Sequence, residues 1–553
     1  MQRLNDTVLF ITPPSAFTAY TGTKINAVTQ HYPLLQYMHL SSYIKQFGFK
    51  TKVLDLGIEK NPWSLLPKIL EKLRPRIIAM TCTTPLFYEV KLIGMIAKSI
   101  LGEESLIVTG GIHVSALPEE SLTETMGDIV VIGEGEITFK EICENRPLGE
   151  IKGIAYRRDK SRQITRSADS LINDILDGKP KHLIVGMRDD PAGREICQTP
   201  RRNFMTNAEL DVLPFVDLDL YDIYRYKNPL VIARGHPLIL METSRGCPFR
   251  CNFCSSENVY RSMSAERVVE EMKEFKKHGI KEIRIIDDQF AISIKRAKKI
   301  FELILRENLK FHINLANGIR VDKIDLELLQ LAKKAGVYQL GIGFESSDQT
   351  VLDSMQKGLK NPINTGLNTM EIIRKSGLES VGFFIFGAPR DTEESLNRTI
   401  AFAKMLRPDY AKVTIMIPFP DTRLFAEYEK KGLIRSKQWD LYNIHQAVDI
   451  YKHPNGLTPE LLRRYYDLFY KEYYLLNPRY ILMRIWKGIK NGNIFSDIWG
   501  GLKTFFPNFI PGNPRSSFRL RPMFIWYDLK HKMSNKHNEH LVDQLSWRDV
   551  KKT

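Results

Sequence analysis

ETSRGCPFRCNFCSSENVYR, residues 242–261, places Cys247, Cys251 and Cys254 in the spacing Cys-x3-Cys-x2-Cys. Thiolates are the usual protein ligands of iron–sulfur clusters, and three on one short loop can hold three irons of a cubane. The fourth iron then has no protein thiolate beside it and can chelate the amino and carboxylate groups of a small molecule. The spacing therefore predicts a catalytic 4Fe-4S cluster rather than an electron carrier with four cysteine ligands.

A structural zinc site is the alternative use of these cysteines. Such sites usually have four Cys or His ligands, often in two Cys-x2-Cys pairs. No fourth ligand stands at a suitable spacing, and ten residues separate the upstream His236 from Cys247. Six cysteines in 553 residues do not suggest a disulfide framework. The triplet thus indicates a metal in a reducing compartment, and we expect a cytoplasmic protein.

Residues 237–425 repeat a strand-like segment followed by an amphipathic, helix-like one. The six strand-like segments are PLILMETS, EIRIIDDQ, FHINLAN, QLGIGFES, SVGFFIFG and AKVTIMIP. Six consecutive units of this kind predict a partial (β/α)6 barrel, in which chemistry gathers where strands end and loops begin. The cysteines follow the first of these strands, which is where that rule places a site.

The rest of the chain divides into three parts. Residues 1–145 alternate buried strand-like runs with helical ones, which predicts an α/β, doubly wound parallel sheet whose ligand lies beyond the C-terminal strand ends. Residues 146–236 are less regular and are expected to form a linker with short strands. Residues 426–553 are expected to be helical and basic, with a frayed tail.

The cysteine motif, with the aromatic Phe253 before its last cysteine, resembles the radical S-adenosylmethionine superfamily. Five further segments are similar in order and spacing to the cobalamin-binding branch of that superfamily. These segments are IRIIDDQF (283–290), GIRVDKIDLELL (318–329), GIGFESSDQTVLDSMQKG (341–358), GFFIFGAPRDTEESL (382–396) and IPFPDTRLF (417–425). The resemblance therefore extends through the whole predicted barrel.

The resemblance implies roles for single residues in the barrel. Phe253 would pack beside the adenine of S-adenosylmethionine, and Glu345 would bind its ribose or amino group. Asp288 would lie near the methionine end or orient the cluster loop; its neighbour Asp287 points the other way on a strand. Two further implied contacts are Arg320, which could neutralise a carboxylate, and Gly387, which would let a strand approach the adenine. Each residue also has an ordinary structural explanation.

In the first part of the chain, GGIHVSALPEE (110–120) and VIGEGEITF (131–139) resemble the cobalamin-binding domain found upstream of this barrel type. The glycines would admit a large planar ligand, and the threonines could bind its nucleotide tail, although all are also common turn residues. The implied cobalamin contacts are Thr81, Thr83, Gly110, Gly111, His113, Gly133 and Gly135.

Two motifs are missing from this first part. No Asp-x-His-x-x-Gly motif follows the second strand, which ends in LDLGIEK (54–60). We therefore expect cobalamin bound without histidine ligation. No Gly-x-Gly-x-x-Gly fingerprint follows the first strand, which argues against a nicotinamide dinucleotide.

The resemblance implies a reductive radical reaction. An external one-electron donor such as flavodoxin or ferredoxin would reduce the cluster, and cleaved S-adenosylmethionine would yield a radical that removes hydrogen from an unactivated carbon. The leading hypothesis is cobalamin-dependent C-methylation of a lipid, pigment or other secondary metabolite. Cyclisation or carbon–carbon coupling with the same cofactors is the alternative. A non-catalytic cobalamin sensor is a third hypothesis, against which the complete cysteine set and barrel argue.

Positive charge concentrates at the C-terminus. The net charge is +16, and residues 471–553 hold 15 Lys and Arg against 6 Asp and Glu. Such a region can meet nucleic acid, an acidic membrane, an anionic substrate or only solvent. A transfer-RNA methylthiolation enzyme would need three additional N-terminal cysteines, but only Cys82 and Cys143 precede residue 150, so we expect no nucleic-acid partner. NIFSDIWGGLKTFFPNFIPG (493–512) could make peripheral membrane contact or, as we favour, form a lid over the barrel.

Overall fold

The computed structural model describes residues 5–18, 31–158, 166–184, 196–228 and 233–491. The described chain forms two compact units. The first contains residues 5–18 and the described residues from 36 to 204, and the second contains residues 31–35 and the described residues from 205 to 491.

The first unit is built on a seven-stranded sheet of order β2-β1-β3-β4-β5-β6-β7. Its strands are β1 Asn5–Thr12, β2 Lys50–Asp55, β3 Pro75–Thr81, β4 Leu106–Gly110, β5 Ile129–Val131, β6 Ile154–Arg157 and β7 Ile196–Gln198. The first five pair in parallel, and β6 and β7 extend the sheet antiparallel. The predicted doubly wound α/β sheet is confirmed, with an antiparallel extension drawn from the segment expected to be a linker.

Helices cover this sheet and bury its strand β1. They are α1 Leu35–Lys45, α2 Pro62–Leu73, α3 Phe87–Leu101, α4 Ile112–Ala116, α5 Pro118–Glu124, α6 Glu136–Cys143, α7 Ala168–Leu176 and α8 Lys181–Ile184. The run from Val8 to Ile11 in β1 is at most 2% exposed, as expected for a parallel strand with both faces covered. The continuous apolar run TVLFIT therefore marks a buried strand with a parallel neighbour on each side, β2 and β3.

The second unit contains a six-stranded, fully parallel sheet of order β15-β14-β13-β12-β11-β8. Its strands are β8 Leu238–Met241, β11 Glu282–Ile285, β12 His312–Leu315, β13 Val337–Glu345, β14 Glu379–Phe386 and β15 Tyr410–Ile415. A separate two-stranded ribbon pairs β9 Ser244–Arg245 with β10 Arg261–Ser262. Sequential order in a parallel sheet is the topology of the predicted partial β/α barrel.

Ten helices accompany these strands in the described part of the unit. They are α9 Asn207–Asp211, α10 Ala265–Lys277, α11 Ile294–Arg306, α12 Leu326–Lys334, α13 Gln349–Ser354, α14 Pro362–Ser376, α15 Glu393–Leu406, α16 Arg423–Lys430, α17 Pro459–Tyr470 and α18 Pro478–Asn491. Helix α10 illustrates how the sequence sets them. Ser264 caps its first turn by accepting from the amide of Arg267, and its buried stripe includes Val268, Met272 and Phe275.

The two faces of the six barrel strands differ in polarity because side chains alternate along a strand. Ile283 and Ile285 in β11 and Phe384 in β14 are at most 2% exposed, and Phe384 lies against Phe402 of α15. The opposite, inner face is largely polar. Its members pair in register and include Glu282, Arg284, His312, Asn314, Gln339, Glu379, Tyr410 and Lys412.

The outer edge of β15 is closed by tyrosine side chains rather than by another strand. The Tyr474 hydroxyl accepts from the amide of Ala411 at 2.9 Å and donates to the carbonyl of the same residue at 2.8 Å. Tyr470 contacts the amide of Val413 at 3.4 Å. An open strand edge is thus satisfied by side chains of the C-terminal helices.

No helix among the described residues is long and apolar enough to cross a membrane. The segment 493–512, for which we predicted a lid or a membrane contact, lies outside the described residues.

Candidate active site

The loop that carries the three cysteines begins and ends in the β9–β10 ribbon. Ser244 pairs with Ser262 and Arg245 with Arg261, and the amide of Cys247 donates to the carbonyl of Glu257 at 2.8 Å. Gly246 adopts a φ of +75°, and a Cβ there would lie 2.2 Å from the carbonyl oxygen of Val259. Only glycine fits at the entry to this loop, because any side chain would meet rigid backbone.

Asn252 anchors the middle of the loop to the barrel. Its amide donates to Met355 at 3.1 Å, and its side-chain nitrogen donates to the carbonyl of Ser354 at 2.9 Å. The amide of Leu424, near the start of α16, donates to the carbonyl of Asn252 at 2.8 Å. The loop is therefore held at its base and at its tip before any cofactor binds.

The three thiols are near one another and face carboxylates and a lysine. All three are free, with Cys247 and Cys251 half-buried and Cys254 exposed. Although Cys254 remains accessible, desolvation of its thiol by the surrounding protein raises its pKa to about 11, and Asp288 and the other two cysteines add to this. Burial also raises the pKa of Cys247 and Cys251, while Lys357 lowers both. A positive charge beside the loop favours the thiolate form that binds iron.

Among the described residues, no three His, Cys, Asp or Glu side chains are arranged to hold a single metal ion. A cubane does not require such convergence, because each thiolate binds a separate iron. The thiol donor set, its shared loop and its neighbouring cation fit a 4Fe-4S cluster.

Glu345 ends β13 beside this loop, in a backbone conformation with φ of +58°. Its Oε1 accepts from Lys357 Nζ at 2.6 Å, and Glu345 contributes to the electrostatic environment of Cys251. Its Oε2 is buried and has no hydrogen-bond partner among the described residues. A buried carboxylate oxygen without a donor is costly. The vacant acceptor fits an amino or hydroxyl group of S-adenosylmethionine.

The two adjacent aspartates at the end of β11 have different surroundings, as strand alternation predicts. Asp287 is buried and accepts three hydrogen bonds of 2.6 Å, from the amide and hydroxyl of Thr243 and from the hydroxyl of Ser244. Asp288 accepts from the hydroxyl of Ser256 at 2.6 Å, and burial raises its pKa. Asp287 therefore ties two strand ends together, whereas Asp288 faces the cysteine loop.

Arg320 is buried, and its guanidinium donates hydrogen bonds to backbone carbonyls rather than pointing into a cavity. Nη1 donates to the carbonyl of Lys357 at 2.9 Å and Nη2 to that of Gly358 at 3.1 Å. Nε donates to Asp322 at 2.7 Å, and the guanidinium lies 4.0 Å from the ring centroid of Phe249 in the cysteine loop. Arg320 thus connects the loop that carries Lys357 to the cysteine loop.

The last two predicted barrel contacts are Gly387 and Phe253. The amide of Gly387 donates to Asp391 Oδ2 at 2.9 Å, and a Cβ on Gly387 would lie 3.3 Å from a methyl of Leu462. Phe253 is half-buried within the cysteine loop. Gly387 therefore lies at the end of β14, on the same sheet as Glu345.

In the first unit, predicted cobalamin contacts gather at the carboxyl ends of β3 and β4. The amide of Cys82 donates to the carbonyl of Gly110 at 2.8 Å. A Cβ on Gly111 would lie 2.9 Å from both the carbonyl of Cys82 and the hydroxyl of Thr81. The hydroxyl of Thr83 is buried and has no partner among the described residues. A hydroxyl without a partner beside these glycines fits a ligand that carries polar groups, such as the nucleotide tail of cobalamin.

His113 packs inside the first unit. It is 1% exposed, its Nδ1 lies 3.3 Å from the hydroxyl of Thr84, and its ring stands edge-on to Phe87. Burial lowers the pKa of His113 to about 3, so it is neutral. Gly133 and Gly135 follow β5; the amide of Gly133 donates to the hydroxyl of Ser115 at 3.2 Å.

Comparisons with known proteins agree with this geometry. The radical SAM superfamily model matches residues 241–403, and the B12-binding domain model matches residues 25–143. An uncharacterized methyltransferase of Pyrococcus horikoshii is 31% identical, covering 87% of this chain and 95% of the relative. The anaerobic magnesium-protoporphyrin IX monomethyl ester cyclase of Cereibacter sphaeroides is 27% identical, covering 65% of this chain and 55% of the relative.

A solved structure shares the fold. The radical S-adenosylmethionine methyltransferase TsrM of Kitasatospora setae, solved with cobalamin and a [4Fe-4S] cluster, aligns with a TM-score of 0.57 at 18% identity, covering 77% of this chain and 78% of its own. A cysteine loop on a parallel barrel, with a B12-binding domain before it, defines a radical enzyme that uses a 4Fe-4S cluster, S-adenosylmethionine and cobalamin. The chain belongs to the family of cobalamin-binding-domain radical S-adenosylmethionine enzymes.

Sequence reasoning missed several residues that surround this site. Lys357 lies in a loop with no periodic signal, so its contact with Glu345 was not readable. Ser256, the partner of Asp288, was missed for the same reason. Lys412 did leave a signal, because it is the one charged residue of strand β15, whereas Arg284 shares strand β11 with Glu282.

Proposed function

We propose that this enzyme transfers a methyl group to an unactivated carbon of a small molecule. The observation that carries the proposal is the vacant, buried Oε2 of Glu345 beside the Cys247–Cys251–Cys254 loop, in a chain that also has a B12-binding domain. The relative in Pyrococcus horikoshii and the solved structure from Kitasatospora setae, both described as methyltransferases, support it.

In the bound state, the cluster and cobalamin would supply the electron that cleaves S-adenosylmethionine and the methyl group that is transferred. The chain contributes binding and orientation. Three thiolates hold the cluster on a loop fixed by Asn252 and the β9–β10 ribbon. Glu345, itself oriented by Lys357, receives a donor from S-adenosylmethionine. The parallel strands enclose the reacting groups and so exclude competing reactions with solvent.

The test uses anaerobically reconstituted protein, a strong reductant and S-adenosylmethionine with a deuterated methyl group. The substrate source is a total lipid and pigment extract from a strain that lacks the protein. We expect 5′-deoxyadenosine, S-adenosylhomocysteine and an extract component heavier by a deuterated methyl group. The Cys254→Ala variant should give none of these. Absence of 5′-deoxyadenosine from the wild type would refute the proposal.

A second candidate function is ring closure or carbon–carbon coupling with the same cofactors. The relative in Cereibacter sphaeroides, whose name describes a cyclase, favours it. The same incubation separates the two functions, because cyclisation removes hydrogen from the substrate and leaves it without deuterium. A cobalamin sensor would bind cobalamin and release no 5′-deoxyadenosine.

We also propose the assignment of parts and partners predicted above. Residues 1–145 would bind cobalamin, and residues 146–236 would link them to the barrel. Residues 237–425 would form the radical barrel, and residues 426–553 would form the basic C-terminal region. Flavodoxin or ferredoxin would supply electrons, and the C-terminal region would meet a lipid substrate or a membrane surface. Reduction of the cluster by purified flavodoxin, followed by its absorption spectrum, tests the electron donor.

A further inference from the structure

The inner face of the barrel carries two cations, Arg284 and Lys412, on well-separated strands. Lys412 lies on β15 in register with Phe383, which in turn pairs with Gly343. Gly343 stands two residues before Glu345 on β13. Lys412 is therefore on the inner face, deeper in the lumen than the carboxylate assigned to S-adenosylmethionine.

The ammonium of Lys412 has no carboxylate within ion-pair distance in the described part of the chain. Neither an ion pair nor a hydrogen bond involves it there, whereas Lys357, at the mouth of the same barrel, contacts Glu345. Its side chain is nevertheless accessible to solvent. Desolvation by the surrounding protein and the charge of Arg284 lower the pKa of Lys412. A side chain that projects into an enclosed lumen is both accessible to solvent and partly desolvated, as Lys412 is.

Arg284 lies on the same inner face of the sheet as Lys412. Its strand, β11, is separated from β15 by three strands in the sheet, and the charge of Arg284 adds to the lowering of the pKa of Lys412. Arg284 lies 3.9 Å from Glu282. That carboxylate already accepts from the amides of Arg234 and Gly235 and from the hydroxyl of Tyr338. Glu282 is therefore shared between Arg284 and three other donors.

Two further side chains of the second unit complete the surroundings. Tyr32 lies near Arg284, and His445 lies near Lys412 and bonds the hydroxyl of Tyr466 at 3.1 Å. Burial and the charge of Lys412 lower the pKa of His445 to about 4, so this histidine is neutral and adds a polar group rather than charge. Two facing cations with a phenol and an imidazole are donors suited to an oxyanion.

We propose that Lys412 and Arg284 bind an anionic group of the substrate, a carboxylate or a phosphate, inside the barrel. Two like charges facing each other in a desolvated lumen repel, and a bound oxyanion would remove that repulsion. The anion would hold one end of the substrate deep in the lumen and direct its other end toward the cysteine loop. The inference rests on the proposed function, because it assigns the substrate class of the same barrel.

The test measures binding of simple probes to reconstituted holoprotein saturated with S-adenosylmethionine. Anaerobic calorimetry with hexanoate, hexyl phosphate and the neutral hexanamide is compared for wild type, Lys412→Gln, Lys412→Arg and Lys430→Gln. Lys430 is an exposed lysine at the end of α16 and serves as the matched control. We expect the Lys412→Gln change to weaken binding of both anions about tenfold or more, since it removes one charge-assisted contact. Lys412→Arg and Lys430→Gln should bind like the wild type.

The relative affinity for hexanoate and hexyl phosphate then assigns the anion as carboxylate or phosphate. Equal anion binding by wild type and Lys412→Gln would overturn the inference, as would hexanamide binding as tightly as hexanoate. An equal loss of S-adenosylmethionine affinity in Lys412→Gln would assign the charge to the cofactor and also overturn it. Iron content and 5′-deoxyadenosine release of the same wild-type sample report on the proposed function separately.

Discussion

At the scale of single residues, the site depends on an acceptor that the protein leaves vacant. Glu345 Oε1 is occupied by Lys357, while Oε2 is buried without a partner among the described residues. Replacing Glu345 by Ala should weaken S-adenosylmethionine binding by about 10- to 100-fold, the range for a lost hydrogen bond to a charged group. Calorimetry on protein with measured iron content tests this. Glu302→Ala, an exposed change on α11, should not alter affinity; an unchanged affinity of Glu345→Ala would contradict the role.

Gly246 lies at the entry to the cysteine loop, where no side chain fits. Gly246→Ala would place a Cβ 2.2 Å from the carbonyl oxygen of Val259, so the β9–β10 ribbon or the Cys247 backbone must move. We expect the variant to fold but to lose most of its iron and sulfide after reconstitution. Gly456 has nearly the same φ, +76°, with nothing near its Cβ position. Gly456→Ala should therefore cost about 1 kcal/mol of stability and keep the cluster. Full iron retention by Gly246→Ala would disprove this account.

The buried carboxyl of Asp391 should make the free energy of unfolding depend on pH. Burial raises its pKa from 3.8 to about 6, although Ser395 and the amides of Ala388 and Gly387 oppose the shift. A raised folded-state pKa means that the proton stabilises the fold fully below pH 3.8 and that this stabilisation is lost as pH rises through 6. Between about pH 5 and 7.5 the wild type should lose about 1.4 kcal/mol relative to Asp391→Asn, since each pH unit below the folded pKa is worth about that much.

Urea unfolding of both proteins at the two pH values measures this difference. The amide side chain introduced by Asp391→Asn would keep an acceptor for the two backbone amides and a donor for the Ser395 hydroxyl, so the turn should survive. A difference between the two proteins that stays constant with pH would show that Asp391 is ionised throughout.

At the scale of elements, the edge of β15 shows how a partial barrel ends. Tyr474 satisfies both backbone groups of Ala411. Tyr474→Phe would leave an amide and a carbonyl unpaired, at a cost of about 1–3 kcal/mol each before water replaces the hydroxyl. We expect a lower free energy of urea unfolding and faster hydrogen exchange at Ala411. Tyr43→Phe, which removes a hydroxyl without a hydrogen bond in the described structure, is the control. Unaltered exchange at Ala411 would exclude this role.

The cysteine loop is held in place by contacts from several elements. The β9–β10 ribbon has only two residue pairs, so it is too short to be stable alone. Contacts of Asn252 with the end of α13 and the start of α16 supply what the ribbon lacks. The loop is thus held by elements distant in sequence, because its own hydrogen bonds are few.

At the scale of the whole molecule, most strands were readable from the sequence. The apolar run TVLFIT and the isoleucine-rich segment EIRII mark buried parallel strands, and the order of six strand–helix units predicted the sequential sheet of the barrel. The antiparallel pairing of β6 and β7 onto the first sheet was not readable. Both strands are short and irregular in pattern, and pairing direction depends on where a connection returns rather than on local composition.

The cysteine loop as the cluster ligand and the strands of the barrel could be predicted from the sequence alone, since spacing within one loop and alternation within one strand are local properties. The partnership of Glu345 with Lys357, and the placement of Arg284 and Lys412 within one lumen, were decided only by the tertiary structure. Arg284 and Lys412 stand on strands far apart in the chain, and their positions relative to each other follow from strand register and from curvature of the sheet. Those quantities are set by the packing of all the elements together, so no stretch of sequence encodes them.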